Sequence, residues 1–261
     1  MCLVFLGLDA HAGHRLVLAA NRDEFRARPA RPAAPWPDAP SVVAGLDETA
    51  GGTWLGATAA GRWAVLTNVR AQDVADGPRP SARSRGALVA AFLTGADTPE
   101  QAAAQAFADR HDYRGFNLIV GAGPEGWLAS TRLGAPRPLG AGVYGLSNDT
   151  LDTPWPKLVR GRAAFAAAFA RDAGDDALFA ILRDTTVPPD AELPTTGVGL
   201  AAERFLSTAF IDGPDYGTRV STLLTVGADD VRLRERTWAR GGRAAGEVTW
   251  LASGGAWVAG D

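Results

Sequence analysis

A chain of 261 residues, 46% hydrophobic and 21% charged, has the composition of an ordinary globular protein long enough to bury a full core. Its net charge of -3 offers no basic footprint for a nucleic acid, and a single cysteine excludes an internal disulfide. The first apolar run, MCLVFLGLD, is too short to span a bilayer and does not have the pattern of a cleavable signal, so a cytoplasmic protein without a membrane span is expected. The basic residues are arginines except for Lys157, so any Schiff-base or lysine-nucleophile chemistry would depend on that one residue, which stands at a helix start.

In chain order, CLVFLGLD and LVLAA at 16–20 are apolar throughout and are joined by DAHAGH with Gly13, which predicts a β-hairpin. Strands without polar alternation are buried on both faces. The stretch PARPAAPWPDAP at 29–40 carries five prolines and reads as a surface loop. TWLGAT at 53–58 and WAVLTNV at 63–69 are further buried strands. The polar, Gly- and Pro-broken stretch at 70–83 follows the second of them and is a candidate lid. Residues 84–109 have helical spacing, with Thr98 as a cap and Pro99 in a first turn. FNLIV at 116–120 and VYGLSN at 143–148 return to strand, and residues 156–184 place Leu158, Phe165 and Phe169 on one helical stripe. STLLTV at 221–226 and the alternating VRLRERTW at 231–238, an edge or half-exposed strand, form a last hairpin.

Runs of doubly buried strands separated by pairs of helices require cover on both faces. That predicts an α+β fold, a four-layer αββα sandwich in a single domain over residues 1–261. A three-layer α/β sheet would instead alternate single strands with single helices.

Cys2 stands directly behind Met1. Removal of Met1 would leave a thiol and a free α-amine on one residue, with ordinary pKa values of about 8.5 and about 7.7–8.0. In an N-terminal nucleophile hydrolase such an amine takes the thiol proton and the sulfur attacks a carbonyl. The alternative for a lone cysteine is a small core hydrophobe. The predicted hairpin returns Asn21-Arg22-Asp23-Glu24 to the start of the first strand, placing Arg22 and Asp23 beside Cys2. An arginine there lowers a thiol pKa, and an aspartate orients an amine. Asn68 and Asn148 end buried strands, where an amide can serve a developing oxyanion or simply form a turn. Arg219, in Tyr216-Gly217-Thr218-Arg219, could bind a carboxylate or support the nucleophile. One cysteine and three scattered histidines give no usual zinc spacing, and no metal or cofactor is expected.

Taken together, the Met-Cys start, NRDE at 21–24, VVAGLD at 42–47, GGTWLG at 51–56, LTN at 66–68, FN at 116–117, LSN at 146–148, TPWPK at 153–157 and YGTR at 216–219 resemble the NRDE family, also called the transport and Golgi organisation protein 2 family. The matches run in order to about residue 238. That family is similar to the N-terminal nucleophile hydrolases, including choloylglycine hydrolases and penicillin V acylases, which share the αββα sandwich. The resemblance implies Cys2 as nucleophile, Asn21 with Asp23 at the end of the second strand, Asn148 after Ser147 at the oxyanion, and Arg219 as a late supporting arginine. On this reading Asp23 positions the amine, and Asn68 joins Asn148 at the oxyanion from its own place at a strand end. Asn21, Arg22, Trp54 and Asn117 would bind or support the substrate. One departure stands out. The hydrolases carry an arginine directly before the first asparagine, where this chain has Ala20; its own arginine is Arg22, on the opposite face of a regular strand.

Two functions are therefore expected. One is cysteine-dependent cleavage of a C–N amide or a thioester in a small non-peptide substrate. The other, also implied by the resemblance, is non-catalytic binding or trafficking of haem or acyl-CoA. Haem would have Met1, Cys2, His11, His14 and His111 to draw on, of which His11 and His14 read as turn residues.

Overall fold

Each inner layer of the molecule is an antiparallel sheet that packs on the other by one face and is covered by helices on its outer face over most of its strands, the last two strands of the chain being largely exposed. The computed structural model describes residues 2–11, 14–70 and 82–260; Met1, part of the first hairpin turn and most of the candidate lid lie outside them. Sheet A has the order β10-β1-β2-β11-β12-β13-β14. Its strands are β1 (Cys2–His11), β2 (His14–Phe25), β10 (Gly142–Leu146), β11 (Tyr216–Val226), β12 (Val231–Trp238), β13 (Ala244–Ser253) and β14 (Ala256–Ala259). Sheet B runs in sequence order through β3 (Ala30–Trp36), β4 (Ala39–Asp47), β5 (Leu55–Thr58), β6 (Arg62–Asn68), β7 (Phe116–Ala122), β8 (Glu125–Ser130) and β9 (Arg137–Leu139).

The two-residue period of a strand sorts these apolar runs into three cores. Val4, Leu6, Leu16 and Leu18 point between the sheets to meet Val43, Trp63, Val65 and Ile119. Leu3, Phe5, Val17 and Ala19 point outward under α3 (Pro156–Ala170) and α4 (Asp175–Leu182), against Leu158, Phe165, Phe169 and Leu182. Ala64, Leu66, Phe116 and Leu118 face α1 (Gly86–Thr94) and α2 (Pro99–Ala108) through Val89, Phe92 and Ala103. The four-layer expectation holds. Helix α2 starts as its sequence predicts, with a capping box between Thr98 and Gln101 and Pro99 in the first turn.

One expectation is corrected and another is narrowed. Residues 29–40 form not a loop but β3 and the start of β4. Proline cannot donate to a ladder, but β3 is an edge strand whose pairing with β4 shifts between Arg31 and Ala34 and between Pro35 and Trp36, so Pro32 and Pro35 fit there. The alternating strand 231–238 is half-exposed as predicted but is not an edge, because β13 and β14 continue the sheet beyond it. Its outward arginines are answered by acids, Arg232 and Arg234 by Asp175 and Arg236 by Asp176.

Glu235 ties the two sheets together. Its carboxylate accepts from the Ala33 N–H of β3 at 2.8 Å and from Thr222 Oγ1 at 3.1 Å. Burial pushes its pKa up to about 7, against those hydrogen bonds and the charge of Arg22. A carboxyl whose folded pKa lies above its unfolded value favours the folded state when protonated. That contribution is present below about pH 4.5 and is lost as pH rises through about 7. Glu235→Gln keeps an acceptor for Ala33 without the charge. Its melting temperature relative to the parent should therefore climb between pH 4.5 and 7 and then level off, as thermal melts across that range would show.

Candidate active site

The register of the first hairpin fixes what surrounds the cysteine. Cys2 lies directly across from Arg22, and Leu3 across from Asn21. On the other side of β2, Val220 pairs with Arg22, and a bulge between Thr218 and Val220 sets Arg219 out of the regular alternation. Cys2 and Arg22 therefore share the inter-sheet face of sheet A, while Asn21 is on the helix-covered face with Ala19.

A cavity of about 230 Å³ opens at this end of the sandwich. Among its lining residues are Cys2, Arg22, Asp23, Trp54 and Asn68. Glu24, Arg28, Asp47, Arg83, Arg85 and Arg114 add charge to its walls, five arginines against three acids including Asp23. The Arg22 guanidinium stacks 4.4 Å from the Trp54 ring centroid and reaches Asp47 at 3.3 Å, an acid that Arg28 also holds at 2.7 Å. Gly52, from the GGTW stretch, has φ +76°, and a Cβ on it would come within 2.5 Å of the Gly86 carbonyl oxygen at the start of α1. Only glycine allows that approach.

Cys2 is 9% exposed. Burial pushes its thiol up, Asp23 pushes the same way, and Arg22 opposes both. Asp23 is buried too. Its Oδ1 accepts from Thr218 Oγ1 at 2.7 Å, while Tyr216 donates to its backbone carbonyl at 2.9 Å. Burial raises the Asp23 carboxyl pKa, and nearby positive charge, including Lys157, works against the rise. The YGTR and NRDE stretches, far apart in sequence, thus clasp each other. Arg219 completes the clasp by donating to the carbonyls of Phe25 and Arg28, at 3.0 and 2.9 Å.

Of the residues singled out from sequence, Cys2, Arg22, Asp23, Trp54 and Asn68 meet at the cavity, while Asn21, Asn117, Asn148 and Arg219 are not part of its lining. Asn21 donates to the carbonyls of Leu182 and Ala209, both at 2.8 Å, and accepts from Ser221. Asn117 bridges Thr67, Ser130 and the Asp149 carbonyl. Asn148 donates to the Asn68 carbonyl at 3.0 Å and accepts from Ser147, which also donates to the Cys2 carbonyl. It therefore links the ends of the two sheets behind the cavity. Among the described residues the Asn68 side-chain amide bonds to no other group and faces the cavity. His14 pairs with Asp172, and neither it nor His111 lines the cavity. No group of three or more His, Cys, Asp or Glu among the described residues could hold a metal ion.

Three buried charges that the sequence did not bring together, Lys157, Arg70 and Glu203, meet around a second, much smaller cavity that Asp23 does not line. Lys157 is 3% exposed, and Arg70 and Glu203 form an equally buried ion pair at 2.8 Å. The signal for Lys157 was its uniqueness in an arginine-rich chain. Arg70 and Glu203, one arginine and one glutamate among many charged residues, carried none.

The layers and the cavity at their open end define a fold class, that of the N-terminal nucleophile hydrolases. The *Caenorhabditis elegans* N-acylethanolamine-hydrolyzing acid amidase ortholog shares it at 12% sequence identity with a TM-score of 0.50, over 85% of this chain and 92% of that one. The chain belongs to the Transport and Golgi organisation 2 family, whose model matches residues 1–240 and stops short of the β13-β14 hairpin. The Transport and Golgi organization protein 2 homologs of *Bos taurus* and *Homo sapiens* are each 36% identical over 260 residues, 91% of this chain and 93% of theirs. The *Drosophila melanogaster* protein is 29% identical over 88% of this chain and 89% of its own. No helix among the described residues is long and apolar enough to cross a membrane.

Proposed function

We propose that the chain is a cysteine hydrolase that cleaves an amide or thioester bond in a small, anionic, non-peptide substrate once Met1 has been removed. The supporting observation is the convergence on one cavity of Cys2, its cross-strand partner Arg22, the buried Asp23 and the inward Asn68 amide. The Cys2 α-amine takes the thiol proton, and the thiolate attacks the substrate carbonyl to form an acyl-enzyme. The ammonium then protonates the leaving amine or thiol, and water releases the acyl group. Asn68 donates to the oxyanion, Asn148 holds Asn68 in place, and Asp23 orients the amine. Arg22 and the arginines of the wall attract a carboxylate or phosphate on the substrate, with Trp54 forming the apolar side. Arg219 acts through the turn that carries Arg28. The cavity is smaller than the roughly 300–1,000 Å³ of sites that enclose drug-sized ligands, which suits a small acyl group at Cys2.

Intact-mass measurement tests this directly. The purified chain should lack Met1 and gain one acyl mass from a short-chain acyl thioester probe, and Cys2→Ala should gain none. Quantitative retention of Met1 would sink the mechanism, because Cys2 would then have no free amine. A second reading, binding of haem or acyl-CoA without turnover, is favoured by one observation, the upward push that burial gives the thiol. It predicts unchanged ligand affinity in Cys2→Ala and no acyl adduct in the parent.

A further inference from the structure

Thr218 is fully buried on β11 directly across from Asp23, and it takes no part in the proton transfers just described. Its hydroxyl makes two contacts, each with a fixed direction. The Ile211 backbone N–H, which can only donate, gives its hydrogen to Thr218 Oγ1 at 3.0 Å. The hydroxyl hydrogen must then go elsewhere, and among the described residues its one acceptor is Asp23 Oδ1 at 2.7 Å. Ile211 is itself held by a short turn, in which the Thr218 N–H donates to the Ile211 carbonyl at 2.7 Å and the Gly213 N–H to the Tyr216 carbonyl at 3.1 Å. A Cβ on Gly217 would come within 2.5 Å of the Ile211 carbonyl oxygen, so the glycine of YGTR is what lets this turn close on the threonine. Tyr216 meanwhile holds the Asp23 backbone carbonyl. One short stretch, 216–218, thus grips Asp23 at its main chain and at a carboxyl oxygen.

The direction of that bond matters because Asp23 is buried, and burial works against its charge. A hydroxyl that is already an acceptor toward Ile211, and has its hydrogen on Asp23, favours the carboxylate over the neutral acid. Resting on the nucleophile reading of Cys2, we propose that Thr218 is a positioning residue of this centre. Its hydroxyl, polarised by the Ile211 N–H, keeps the Asp23 carboxylate ionised and in one plane. The Cys2 α-amine then offers its hydrogens to Asp23 and keeps its lone pair for the thiol proton. No bond to Thr218 forms or breaks. The proton passes from sulfur to the α-amine and later to the leaving group.

The other titratable and charged groups facing Asp23 and Cys2 are Arg22 and Glu24 on β2, Lys157 on α3, Arg70 beyond β6 and Tyr216 on β11. Arg70 is paired with Glu203, and Tyr216 stays neutral, its phenol held far above the ordinary value by burial and by Asp23. All of them stay in place when only the residue at 218 is changed. A difference between variants that keep and lose the hydroxyl therefore reports on the hydroxyl alone.

Two substitutions separate the hydroxyl from the shape. Thr218→Val keeps the volume and loses the hydroxyl, whereas Thr218→Ser keeps the hydroxyl. With the short-chain acyl thioester probe and a mass readout at pH 7, Thr218→Val should acylate Cys2 about tenfold more slowly than the parent, and Thr218→Ser should stay close to it. The ¹³C carboxyl signal of Asp23, identified by its absence from Asp23→Asn, should titrate about one unit higher in Thr218→Val and at the parental midpoint in Thr218→Ser. A threonine of merely structural value would lower the melting temperature of Thr218→Val and leave both the carboxyl midpoint and the rate at a permissive temperature unchanged. That result would overturn the inference and leave the nucleophile reading standing. If Thr218→Val does not fold, the parent decides alone: an Asp23 signal of a protonated carboxyl at pH 7 overturns the proposal. Retained Met1 in the parent overturns the inference and the nucleophile reading together.

Discussion

Replacing Asn21 with alanine should destabilise the protein by about 3 kcal/mol, because its amide satisfies three buried partners and each such loss costs about 1–3 kcal/mol. The carbonyls of Leu182 and Ala209 would each lose a donor. Ser221, which also receives the Trp238 indole N–H, would lose the acceptor of its hydroxyl. None of these groups lines the cavity. The melting temperature should fall by roughly 6 °C, while acylation of Cys2 at a permissive temperature stays at the parental rate. If Asn21 took part in the chemistry, the alanine variant would instead melt normally and lose acylation. Calorimetry paired with the mass-based acylation assay separates the two outcomes.

Arg70→Met should cost more, about 3–5 kcal/mol, the usual penalty for leaving one member of a buried ion pair without its partner. The Arg70 guanidinium lies 4.9 Å from the Trp155 ring centroid, and its backbone N–H donates to the Asn148 carbonyl. Glu203 keeps only the backbone and hydroxyl of Thr196 once the arginine is gone. Changing both residues, as in Arg70→Met with Glu203→Leu, removes the stranded charge and should recover part of the loss. Chemical denaturation of the two single variants and the double variant completes the cycle. A double variant at least as unstable as the sum of the singles would contradict the pairing.

The layers were legible in the sequence because strands such as Leu3–Leu8 and Leu16–Ala20 contain no polar alternation, and that requires cover on both faces. The first hairpin alone predicts Arg22 and Asp23 beside Cys2; the register pairs Cys2 with Arg22, and Asp23 joins them only in the lining of the cavity. The strand β3 was hidden because proline rules apply to the interior of a sheet, and a local reading cannot tell which strand becomes an edge. The roles of the asparagines were hidden for a similar reason. Asn21, Asn68 and Asn148 look alike at strand ends, and their difference lies in which face the pleat gives them and which distant carbonyls they meet. The clasp of Thr218 and Tyr216 on Asp23 spans more than 190 residues and leaves no local pattern.

That same clasp sets an order of events during synthesis. Cys2 and β2 leave the ribosome early, but their neighbours in the sheet, β10 and β11, are encoded at 142–146 and 216–226. At about 5–20 residues per second, roughly 10–40 s separate the appearance of the cysteine from completion of the strands that enclose it. Throughout that interval the amino end has no finished sheet to enter and is open to an aminopeptidase. Under the proposed mechanism, trimming of Met1 would therefore fall before the burial of Cys2 rather than compete with it. A slow variant of the late strands would lengthen the interval.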